Sequence, residues 1–115
     1  MRRDHTEGFV VKFGCLIRRT TLSDGEHYDQ RCLGRDYERI VEAIDRLGRT
    51  RFHIRSIRER TGLPWVETHV ALGFLEHTGV IAPAFWNRYR AVSPEAYSEA
   101  MQHLTTLAAQ TEVWR

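Results

Sequence analysis

The chain has 115 residues, 42% hydrophobic and 28% charged, which suits one domain with a compact core. Its 17 Lys plus Arg against 15 Asp plus Glu give a net charge of +2, so the chain as a whole is not strongly basic. No stretch approaches the roughly 20 apolar residues that span a bilayer, and the charged start Met1-Arg2-Arg3-Asp4-His5, with Lys12 inside the apolar run behind it, does not read as a secretory leader. A cytoplasmic protein with no membrane association is therefore expected.

Phe9, Val11, Phe13, Cys15 and Ile17 fall on one parity, with Lys12, Gly14 and Arg18 on the other. This alternation predicts a single strand with one buried face. Residues 20–34, with Ser23-Asp24-Gly25, read as a loop with room for a short strand around Tyr28 to Leu33. Asp36 is placed to cap a helix in which Tyr37, Ile40, Val41, Ile44 and Leu47 form one buried stripe, and Gly48 ends it. Arg49 to His53 is too short for a helix and reads as a single β-bridge. Ile54 to Arg60 makes a two-turn helix, Thr61-Gly62-Leu63-Pro64 a tight turn, and Pro64 opens a third helix running to His77 with Leu72 and Leu75 inward. Val80 to Ala82 and Tyr89 to Val92 are predicted strands joined by the hairpin tip 83–88. Ser93-Pro94-Glu95 starts a last helix to Gln110.

The cations are clustered. Six arginines (46, 49, 51, 55, 58, 60) and only one acid, Glu59, lie between Arg46 and Arg60. Such a cluster suits phosphate, which a guanidinium grips in a bidentate fashion, or else forms a solvated face.

The segments Ile57-Arg58-Glu59-Arg60-Thr61-Gly62-Leu63-Pro64 and Ala71-Leu72-Gly73-Phe74-Leu75-Glu76-His77-Thr78-Gly79-Val80-Ile81 resemble the winged helix-turn-helix family of transcription regulators. The resemblance covers residues 36–92. It implies a mainly α fold with a small β-sheet and a winged helix-turn-helix over 35–93; the strand and loop extension over 1–34 fits no element of that family, and a C-terminal helix occupies 94–115. It also implies that double-stranded DNA is the partner, with helix 64–77 in the major groove and the hairpin against the backbone or minor groove. Trp65, Val66, Glu67, His69, Val70 and Gly73 would then face the bases, Asn87, Arg88 and Arg90 would act from the hairpin, and Arg49, Arg51, Arg55 and Arg58 would contact phosphates. The chain departs from that pattern in one respect: helix 64–77 holds no Arg or Lys, so it lacks the commonest contact to guanine. An interaction module that binds a protein through Trp65, Val66 and Val70 is the alternative.

Tyr97, Met101, Leu104 and Ala108 recur at the spacing of a helix–helix seam. In the MarR and PadR families terminal helices pair two subunits, and the similarity implies a homodimer held by this stripe; the other reading has the helix packing back on its own subunit. Phe85 and Trp86 are expected to fold back on the core or to join a dimer interface, in preference to stacking on nucleic acid. Cys15 reads as a small buried hydrophobe, while Cys32, between Arg31 and Arg35, is the better placed of the two thiols for redox sensing. His53, His69 and His77 have no ligand partner at metal-binding spacing, and no nucleophile–base signature or phosphate loop is present. No cofactor, no metal and no enzymatic activity are expected.

Overall fold

The computed structural model describes residues 5–113, in which 48% of the chain is helical and 30% strand. The order is a three-stranded sheet, three helices, a two-stranded sheet and a last helix. This is a small α+β domain. It corrects the mainly α winged helix-turn-helix with a strand extension that the sequence led us to expect: the N-terminal third is a sheet in its own right, and it covers one side of the helices.

The sheet is a meander of β1 (His5–Lys12), β2 (Cys15–Leu22) and β3 (His27–Leu33). The apolar alternation from Phe9 to Ile17, read as one strand, is two strands folded back at Phe13-Gly14. Both turn residues have positive φ, 54° and 73°, as the tightest hairpin turns require. The turn reverses the parity that faces inward. Val11 pairs with Leu16 and Phe9 with Arg18, and Leu16, Arg18 and Thr20 of β2 are buried. On the outer face Arg19 donates to both carboxylate oxygens of its cross-strand partner Asp29, at 2.8 and 3.0 Å.

Helix α1 (Gly34–Leu47) begins two residues before the expected cap; Asp36 lies inside it, buried. Its stripe Tyr37, Ile40, Val41 and Ile44 is buried as the periodicity requires. Helix α2 (Ile54–Thr61) is capped by His53, whose Nδ1 accepts the Arg55 amide at 3.1 Å, and it ends at the left-handed Gly62. Helix α3 (Trp65–His77) differs from both, because Thr68, Val70, Ala71, Leu72, Phe74 and Leu75 bury it nearly all round. A helix apolar on every side belongs in an interior. Here α1 and α2 lie against it and β2 and β3 also pack on it.

Strands β4 (Ile81–Ala84) and β5 (Arg88–Ala91) form the hairpin. Phe52 joins its edge, exchanging two backbone hydrogen bonds of 2.7 Å with Tyr89. Helix α4 (Ala96–Val113) returns over α1 and β1, where the buried Tyr37 hydroxyl donates to the Ala100 carbonyl at 2.7 Å. Among the described residues no helix is long and apolar enough to cross a membrane.

Candidate nucleic-acid interface

The linker between α1 and α2 carries Arg49 and Arg51 on either side of Thr50, just before the bridge at Phe52. That bridge ties the linker to β5, so the two arginines come to rest beside the hairpin. Together with Arg90 of β5 they line a groove of about 680 Å³, floored by Thr50, Pro83, Ala84 and Phe85. All three arginines are exposed, and no carboxylate is among the lining residues. Arginines from two distant stretches of sequence thus meet on one surface, away from the start of α3.

Arg88 and Asn87 are exposed at the hairpin tip, and Arg55 is exposed on α2. Phe85 and Trp86 neither fold back nor pack on the core. They are 76% and 85% exposed, which corrects the fold-back onto the core that the sequence suggested. Three residues (Phe85, Trp86, Asn87) cross between the paired Ala84 and Arg88, and the left-handed φ of Trp86 and Asn87, 65° and 57°, directs the tip outward.

The start of α3 forms a separate assembly. The Arg58 guanidinium lies 5.6 Å from the centre of the Trp65 ring, and Trp65 stacks on His69 with ring centres 5.5 Å apart. His69 Nδ1 is 2.9 Å from Nη2 of Arg18, which also donates to Gln30 Oε1 at 2.6 Å. Arg18 is 5% exposed, and its Nε is buried without a hydrogen-bond partner, as is the Nε of Arg58. Burial and the adjacent Arg18 charge hold the His69 pKa below its usual value, which keeps the ring neutral and its Nδ1 an acceptor.

This assembly changes the expected roles on α3. Val70 is fully buried and reaches nothing outside the protein. Gly73 faces the sheet: a Cβ there would sit 3.3 Å from Arg18 Nη1 and 3.7 Å from the Phe9 ring, so a larger residue would push the Arg18 guanidinium aside by a few tenths of an ångström. Glu67 points at the α1 start, with Oε2 3.5 Å from the Leu33 amide and the Asp36 carboxyl beside it. Burial and the Asp36 carboxyl raise its pKa. Of the six residues expected to face bases, Trp65 and Val66 keep about half of their surface open, at 49% and 42%, and His69 is exposed but held by Arg18 and Trp65. The physical cause is the N-terminal sheet, which packs where a major groove was expected to lie.

The seam expected on α4 lies against its own chain. Tyr97, Met101 and Leu104 pack on the core cluster, the Tyr97 hydroxyl donates to Glu38 of α1, and Ala108 borders a cleft with Val11 and Leu16. Cys32 is fully buried and its thiol pKa is raised by burial, the opposite of what a redox-sensing thiolate needs. Cys15 is buried as well, and both thiols are free.

No protein-family model matches the chain, no curated protein or solved structure matches it, and nothing identifies it as a winged helix-turn-helix domain.

Proposed function

We propose that the protein binds nucleic acid, with the sugar–phosphate backbone of double-stranded DNA lying in the groove between the Arg49–Arg51 linker and the β4–β5 hairpin. One observation carries the reading: three exposed arginines from separate parts of the chain line one groove that contains no carboxylate. Guanidiniums spaced along a concave surface suit a row of phosphates, and Arg88 extends the same charge toward the hairpin tip. The mode differs from a helix laid in the major groove, because α3 carries the sheet on that side. Contacts of this kind set affinity and register and carry no base sequence directly.

Titration of labelled duplex DNA at several salt concentrations tests the proposal. Three neutralised phosphates give a slope of log K on log salt of about −3. The variant R49A/R51A/R90A should flatten that slope and weaken binding to every duplex alike. Binding that ignores salt, or a triple variant that binds as tightly as the parent, removes the proposal. The protein-partner alternative has less to stand on, since Val70 is buried and Trp65 is held between Arg58 and His69.

A further inference from the structure

The tip of the β4–β5 hairpin presents two large rings to solvent beside the cationic groove. An exposed aromatic pair is costly to keep in water, so a partner that covers it is expected. The backbone adds a second observation. Trp86 has a left-handed φ of 65°, a conformation that a bulky residue adopts only against a steric penalty. Such strain persists where the surrounding structure enforces it, and it gathers at functional positions. The enforcing structure is present here: Ile81 and Ala91 are buried at the hairpin base, and the Phe52–Tyr89 bridge braces β5 with two 2.7 Å hydrogen bonds. The rings therefore stand on a firm arm.

Charge decides among the partners that could cover them. Phe85 itself lines the groove with Arg49, Arg51 and Arg90, and Arg88 follows the tip directly. A ligand that satisfies this surface carries regularly spaced anions and flat apolar faces within a few ångströms of one another. Nucleotides have both. In an intact duplex the base faces are already stacked on one another and closed to an outside ring. They open at an unpaired strand or at a junction, where aromatic side chains take over the stacking and a basic groove follows the backbone.

Resting on the nucleic-acid reading above, we propose that the preferred ligand is a duplex with an unpaired strand: Trp86 and Phe85 stack on the first unpaired bases while Arg49, Arg51 and Arg90 hold the adjoining phosphates.

Fluorescence anisotropy on three DNA probes of equal length tests this: a blunt duplex, a single strand, and a duplex with a ten-nucleotide single-stranded extension. The extended duplex should bind at least tenfold more tightly than the blunt one. W86A and F85A should each erase most of that preference, and W86A, whose ring lies outside the groove lining, should leave blunt-duplex affinity within about twofold. W86F, which keeps a ring at the position, should retain it. Circular dichroism checks that each variant is folded, which the exposure of both side chains leads us to expect. Equal affinity for blunt and extended duplexes, or a preference that survives W86A, overturns this proposal and leaves the groove reading standing. No binding to any probe overturns both. Self-association that W86A abolishes would assign the tip to a contact between copies of the chain, and that too overturns it.

Discussion

Nη2 of Arg18 and Nδ1 of His69 lie 2.9 Å apart and join the middle strand of the N-terminal sheet to the first turns of α3. Neither residue type suggests this from its place in the chain, 51 positions apart. The contact marks the interface that makes the sheet part of the domain and takes α3 out of reach of a large ligand on that side.

The pair makes stability depend on pH. The folded His69 pKa lies below the ordinary 6.5, through burial and the neighbouring guanidinium. The unfolded chain therefore takes up the proton first, and stability is lost as pH falls from about 6.5 through the lower folded value. Thermal melts between pH 7.5 and 5 should show this loss, and H69Q should reduce it. A ring that titrates at or above 6.5 by NMR would contradict the contact.

Glu67 works in the opposite sense. Its folded pKa is raised, chiefly by burial and then by the neighbouring Asp36 carboxyl. The stability it contributes is present below its ordinary pKa of 4.5 and is lost as pH rises through the folded value. E67Q, which can still accept from the Leu33 amide and donate to Asp36, should raise the melting temperature at pH 7 and leave it nearly unchanged at pH 4. A lower melting temperature at pH 7 would mean that the charged carboxylate is the stabilising form.

Tyr37 anchors α4 through a buried hydrogen bond to the Ala100 carbonyl. Y37F leaves that carbonyl without its partner, and the loss should be about 1–2 kcal/mol in denaturant titration. An unchanged midpoint would show that the hydroxyl is not engaged.

The partly buried Leu104 on α4 packs on the core of its own chain. L104A should therefore lower stability by about 1 kcal/mol, in keeping with partial burial, without changing the sedimentation coefficient of the folded protein. A variant that dissociates a dimer at unchanged monomer stability would restore the seam as a subunit contact.

The elements whose periodicity is local were legible. The stripe of α1, the turn at Gly62, the hairpin after Val80 and the clustering of arginines before α2 could all be read from neighbouring residues. The groove was half legible. Arg49, Arg51 and Arg90 stood out by type and a bridge was read over Arg49 to His53, but its partner, Tyr89 of the hairpin, is set by a backbone pairing that leaves no trace in the sequence. The sheet was misread because a two-residue turn through Phe13 breaks the usual turn chemistry: Phe at positive φ is rare, so a strand running through it was the natural inference. Glu67, His69 and Gly73 looked free because nothing in a linear pattern tells a solvent-facing polar residue from one that meets another element.

Apolar spacing over short windows was enough to specify the helices and one hairpin, because the period that puts apolar residues on one face shows within a few neighbouring positions. Which surface of α3 remained open was decided by long-range packing, where β1 and β2 press Phe9 and Arg18 against Gly73. Burial at that contact depends on two segments meeting across more than 50 positions, so composition and period along the chain carry no record of it.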